Sequence, residues 1–530
     1  MSKIFEYNAL WEYQAGDSAV PDDPASLVVP TDDWLGPEPA PFGDVVGDIV
    51  EYPAATSWTA GTGLWLRRAI TLDVASDILL SGTMDNHCYF FLDGFYVGAI
   101  NPSGVQRTGL PPWNLIIPSY LATAGTHELA VLCQDEPSAP GSSTTYFFAE
   151  AEVLPPVFPL WPRAPMSEIL EWLTDVIIAE DSTEDRAQMR LTPRQSLDMS
   201  FYVPPLYQQA LKNLIWSNRA RQWLVPFWPH VQHLGEVEAG EWSLTVPTNF
   251  VDFRASGLAL IWQAPDAFQI VGVDQVPNAT TITLNQPTQG YSDAYVMPLR
   301  RGFMPNDPVR RFDGRKVSVQ TTFVIEENRQ LTVSAPTQYQ GNDIYFDVGL
   351  LDGDGLDESM TTSFDLLDEA LGRVAYSTPW PHNRPRRPHK MLGDGLEEGW
   401  AIRRWLHRRA GRLRAFWQPS FEADLIPVST GALTTTLNVR SDGYLLHAAD
   451  RTHIAIETPS GWLAREITAA GPVSDDVVEL TLNASLAIDA SVIGRVSWLG
   501  LWRMDADRVE INWIGGQVCS ATVPVLELQP

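Results

Sequence analysis

Three groups of side chains in this 530-residue sequence have the chemistry to hold a ligand. Asp352, Asp354, Asp357 and Glu358 are hard oxygen donors of the kind that bind calcium, but Leu356 occupies the third ligand place of the EF-hand spacing and no Glu follows at the twelfth. A solvated turn is the better reading. His230 and His233 have a spacing found among metal ligands, yet no acidic or Cys companion is evident and the segment reads as loop, so no metal is expected. Asp85 and Asn86, with Tyr96 and Trp113 read as exposed rings, would stack on and hydrogen-bond a sugar; a face that only packs against a partner is the preferred alternative. No Gly-rich phosphate loop, nucleophile elbow or His-Glu-x-x-His helix occurs. Paired carboxylates for glycoside hydrolysis carry no spacing signature and stay open. The expectation is a chain that is not an enzyme and needs no cofactor.

Ten arginines fall between Arg373 and Arg414 in a chain whose formal charge is −29. Seven of them, Arg384, Arg386, Arg387, Arg403, Arg404, Arg408 and Arg409, are expected to form salt-bridged contacts with acidic neighbouring subunits, because a guanidinium fork suits a carboxylate. Nucleic acid is not expected as a held ligand, since duplex binding rests on cations that neutralise phosphates. An acidic wall along which DNA slides without sticking stays open. Cys88, Cys133 and Cys519 fit neither a disulfide framework nor a metal knuckle and read as buried thiols. Residues 1–7 lead into no apolar run of signal length and no stretch approaches 18 apolar residues, so folding in the cytoplasm without membrane insertion is expected.

The elements that must position these groups are mostly strands. Short runs rich in β-formers follow one another from Trp65, and Asp93-Gly94 directly after His87-Cys88-Tyr89-Phe90-Phe91-Leu92 is a strong hairpin signal. Residues 1–154 therefore read as an antiparallel β-sandwich. The prolines of Leu154-Pro155-Pro156-Val157-Phe158-Pro159-Leu160-Trp161-Pro162 mark a rigid connector. Beyond it lie two similar pieces, 155–330 and 356–530, joined by a connector at 331–355. Each has an arm, one helix (206–218 and 396–409) and a run of short strands.

The duplication rests on four matches in order. Phe227-Trp228 and Phe416-Trp417 lie 189 residues apart, Pro265 and Pro459 194, Thr283 and Thr481 198, and Leu299 and Leu501 202. A slowly drifting separation is what small loop insertions between equivalent strands produce. The fold class expected is mainly β, a jelly-roll sandwich followed by two barrel or sandwich modules with one helix each.

Asp85-Asn86, Leu92-Asp93-Gly94, Val97-Gly98, Gly125 and Leu129-Ala130-Val131 are similar to the galactose-binding-like jelly roll attached to many glycosidases, over about residues 55–153. Glu171-Trp172-Leu173-Thr174 and Arg190-Leu191-Thr192-Pro193-Arg194 in the first arm, with Gly411-Arg412-Leu413, Phe416-Trp417-Gln418-Pro419-Ser420-Phe421 and Asp424-Leu425 in the second module, resemble distal-tail or baseplate proteins of long-tailed bacteriophages, over about residues 158–528. That resemblance implies a structural protein of the virion tail tip, contacting tail tube and hub proteins. Two modules per chain let a homotrimer present six modules in a pseudo-sixfold ring, with a hexamer of twelve modules as the competing arrangement. A receptor-binding protein that takes a host glycan on its N-terminal domain is the second reading.

Overall fold

The computed structural model describes the chain outside residues 1–2, 17–22, 44–51, 60, 85–86, 101–112, 136–144, 348–356, 364, 369, 371, 373, 379, 381, 516 and 529–530. It is mainly β, an N-terminal jelly-roll sandwich followed by two similar β modules with one principal helix each. The chain divides into two compact units that cut it differently from the expected modules: 1–166 with 196–327, and 167–195 with 328–530. The arm that precedes the first module in sequence thus belongs to the second unit. Among the described residues no helix is long and apolar enough to cross a membrane.

In the first unit, one sandwich sheet runs Lys3–Phe5, Tyr146–Val153, Ile78–Met84, Trp113–Ile117; the other runs Leu35–Pro39, Leu10–Gly16, Gly63–Leu72, Gly125–Gln134, His87–Leu92, Phe95–Ile100. Apolar residues alternate inward from both sheets onto a core that includes Trp11, Phe42, Phe90 and Phe147. Asp93 and Gly94 close the expected hairpin with φ of 51° and 81°, the left-handed pair a tight two-residue turn requires. Cys88 and Cys133 face each other across the pair formed by His87–Leu92 and Gly125–Gln134, their Sγ atoms 3.1 Å apart. Both are buried, as is Cys519 in the second unit, where burial pushes the thiol up to about 11. A thiol reagent is expected to label none of the three in the native protein and all three in denaturant, which a mass measurement reads directly.

The two modules share the order and register of their main elements; the strand Gln232–Val237 of the first is reduced in the second to the bridge of Leu425 with Val496, and among the described residues the short helix Tyr444–His447 occurs in the second alone. Leu211 and Ile215 of the helix Gln208–Asn218 are buried, as are Ile402 and Leu406 of Leu396–Arg409. Leu206, expected on the inward face, is instead exposed, in a short 3-10 turn ahead of the first helix. Next, Trp223–Pro226 pairs Pro226 with Leu299, and Phe416–Pro419 pairs Pro419 with Leu499. Ile261 and Ile456 pair with Val296 and Val496, Leu244 and Leu437 with Ile282 and Leu480. The matches at Pro265/Pro459 and Thr283/Thr481 agree with these registers. The other two do not. The register sets Leu299 against Leu499, and Phe227-Trp228 lies past its strand while Phe416-Trp417 lies within its own. A shared Phe-Trp pair drew the one match, and a Leu two places before an Arg the other, to the wrong rung of the ladder.

Candidate functional site: an arm held by buried arginines

Residues 167–195 lie in the second unit as an arm that ends in the hairpin of Thr174–Ile178 with Glu184–Gln188. A two-stranded hairpin has too little apolar contact to stand alone in water, so what holds it is the question. Two buried carboxylates do much of this. Glu184 accepts from Arg384 Nη2 at 2.6 Å and from Arg503 Nε and Nη2 at 2.7 and 2.8 Å. Arg384 also donates to the Glu527 carbonyl at 3.0 Å, and Arg503 reaches Asp505 at 2.9 Å. Glu168, wholly buried, is paired with Arg403 of the helix and accepts from Gln195 Nε2 at 2.8 Å.

Asp507 makes a third anchor. It accepts from the Thr174 amide at 2.8 Å, the Thr174 hydroxyl at 3.0 Å and the Arg412 amide at 2.9 Å, while its carbonyl accepts from the Trp172 amide at 2.9 Å. The buried Trp172 ring meets His407 edge-on at 5.6 Å. On the other side of the helix, Asp343 accepts from Arg408 at 2.8 and 3.0 Å and is also paired with Arg409.

This arrangement corrects the expected role of the arginine cluster. Arg384, Arg387, Arg403 and Arg409 are buried, and their partners belong to their own chain. They are not available to a neighbouring subunit. Arg408 is held by Asp343, Arg386 is half-exposed beside Asp505 at 3.0 Å, and Arg404 is exposed. Burial of a guanidinium is tolerable only where forked pairing replaces its water, which is what the acids of the arm and of Asp343 supply.

Burial pushes the Glu184 carboxyl up, but hydrogen bonds and charge from Arg503 and Arg384 outweigh it and hold it below the usual range. Asp343 is likewise held low, burial being overcome by Arg408, Gln338 and Arg409. A carboxylate whose folded pKa is depressed stabilises the fold above its unfolded value, about 4.3 for Glu and 3.9 for Asp, and loses this as pH falls through the folded value. Glu358 and Glu527 are pushed up by burial and act oppositely at higher pH. The urea midpoint of the second unit is therefore expected to fall steeply only below about pH 4, and Glu184→Gln should flatten that fall.

The other candidate residues that the structure describes do not converge. Asp85 and Asn86, like Asp352 and Asp354, lie outside the described residues. Trp113 is 2% exposed and packs on Phe90 at 5.0 Å inside the sandwich, so it offers no face to a sugar. Tyr96 is half-buried between Phe91 and Trp242, at 5.7 and 6.4 Å, with its hydroxyl pKa pushed up by burial. His230 is buried, accepts from the Asp252 amide at 2.9 Å, and is lowered to about 3 by burial, whereas His233 is exposed beside Asp293. Among the described residues no group of three or more His, Cys, Asp or Glu side chains is placed to hold a metal ion.

No family model matches the chain, and no curated protein matches it. Among solved structures it is similar to a β-glucuronidase of Faecalibacterium prausnitzii, at 13% identity over 37% of this chain and 43% of that one, with a TM-score of 0.20. It is also similar to a GH2 β-galacturonidase of Eisenbergiella tayi solved with galacturonate, at 11% identity over 60% of this chain and 47% of that one, with a TM-score of 0.18. The chain thus spans less than half the length of either enzyme. That these neighbours are glycoside hydrolases contradicts the expectation that the chain is not an enzyme, and that expectation is withdrawn. Likenesses this distant assign no activity here.

Proposed function

We propose that the protein is a structural component of the tail tip of a long-tailed bacteriophage, forming a ring around the tail channel between tail tube and hub. The observation that carries this reading is the module used twice, with its helix and main strands in the same order from Arg194–Val203 to Lys316–Ile325 and from Arg384–Asp394 to Val518–Leu528. Three copies of such a chain supply six equivalent pieces to a sixfold tube while keeping threefold symmetry for the hub. The sequence likeness of 411–425 to distal-tail proteins supplies the setting. The chain would reside in the virion, at the tail tip.

Electron microscopy of the purified chain at increasing concentration tests the ring. The expected particle has an open centre and six peripheral densities of module size. Compact particles without a central opening would overturn the reading. An antibody against the chain should decorate one end of the tail in the phage that carries it.

A further inference from the structure

The second module has an arm of its own, and it is left uncovered. Ser359–Thr361 pairs with the Arg384–Asp394 strand at its root, and the hairpin of Asp365–Asp368 with Val374–Ser377 is exposed at every residue. Met360, Leu366, Leu367, Val374 and Tyr376 all present their side chains to solvent. A short hairpin with that much exposed apolar surface has no source of stability except a surface to lie on.

The first arm shows what kind of surface that is. It covers Arg403 and His407 of the second helix and the Trp513 ring, to which Glu168 lies at 3.4 Å. The shared register identifies the same face on the first module. Leu211 and Ile215 correspond to Ile402 and Leu406, so Lys212 stands for Arg403 and Trp216 for His407. Phe312 pairs with Val317 as Trp513 pairs with Cys519, in equivalent hairpins, so Phe312 stands for Trp513. In the covered module His407 and Trp513 are 3% and 2% exposed; in the other, Trp216 and Phe312 are 86% and 64% exposed. The bare face is also basic at Lys212 and at Arg310, whose guanidinium lies over the Phe312 ring at 5.0 Å, and the bare arm is acidic at Asp365 and Asp368.

We infer that the hairpin Asp365–Asp368/Val374–Ser377 of one copy docks on the Trp216–Phe312 face of a second copy of this chain, as the first arm docks within the second unit. A contact between two different surfaces propagates from copy to copy and closes into a ring when the rotation allows. The inference deepens the ring proposal by naming the junction and takes its biological setting from it. The test below reads self-contact alone, so the two fail separately.

A photoreactive phenylalanine analogue in place of Tyr376, in the full chain, tests the docking. Light and heavy isotope forms are mixed and irradiated at high concentration. The expected products are mixed-label cross-links from position 376 to the peptide carrying Trp216 or Phe312. Trp216→Asp with Phe312→Asp should reduce them about tenfold, since central aromatic contacts carry most of an interface. Both substitutions are at exposed positions, and an unchanged circular dichroism spectrum and urea midpoint would show the fold intact. Leu366→Asp with Leu367→Asp, on the arm itself, should give the same loss. Cross-links within one label only, to another surface, or absent altogether would overturn the inference. Docked junctions without ring-shaped particles would instead remove the tail-ring proposal and leave this one standing.

Discussion

Replacing Glu184 with alanine is expected to destabilise the second unit by about 3–5 kcal/mol, the usual cost of leaving a buried charge without its partner. Two guanidinium groups face this one carboxylate, and both side chains are almost wholly buried. Removing the acid leaves Arg384 and Arg503 to repel each other where water cannot reach them. Urea unfolding, with hydrogen exchange along Arg384–Asp394 and Val496–Met504 to report on this unit, measures the loss. The combined change of Glu184→Leu, Arg384→Met and Arg503→Met should recover most of it, because desolvating the charges offsets much of the attraction between them. A loss below about 1 kcal/mol for Glu184→Ala would place the triad in the class of exposed surface pairs.

Much of this fold is legible in the sequence, and the reason is local. The Asp93-Gly94 turn, the helix at 396–409 and the strands that bear the 194- and 198-residue matches are specified by neighbours a few positions apart. The site is not legible in that way. Arg384 finds Glu184 two hundred positions away, and Arg403 finds Glu168 across 235. A cluster of ten arginines is visible in one dimension, but nothing in one dimension says that the arm before the first module is their partner. The reading of those arginines as contacts for another subunit followed from that blindness. Trp113 failed for a different reason: its strand, Trp113–Ile117, directs residue 113 inward, and a single aromatic near a Pro-rich stretch has the look of a loop residue when its strand partners are unknown. The acidic partners Glu168, Glu184, Asp343 and Asp507 share no motif. Only the register of the completed sheets brings them to the arginines.

That dependence on distant partners makes one glycine decisive. Gly411 follows the second helix with a φ of 68°, and a methyl group there would run into the Asp507 carboxylate and press on the Trp172 Cβ at 3.0 Å. Gly411→Ala therefore carries two costs. The left-handed backbone disfavours a Cβ by about 1–2 kcal/mol. Moving Asp507 also strains its bonds to the Thr174 amide and hydroxyl and to the Arg412 amide, each about 1.5–3 kcal/mol when the acceptor is charged. A combined loss of about 3 kcal/mol or more should fall on the docking of the arm, since Thr174 and Trp172 are where it is pinned. Hydrogen exchange at the Thr174 and Arg412 amides should quicken about a hundredfold, and limited proteolysis should open between Trp172 and Arg190. Gly431→Ala is the matched control: its φ is 74° and nothing lies within 4 Å of the added methyl, so only the backbone cost applies. If the two variants release the arm equally, Asp507 is not what holds it.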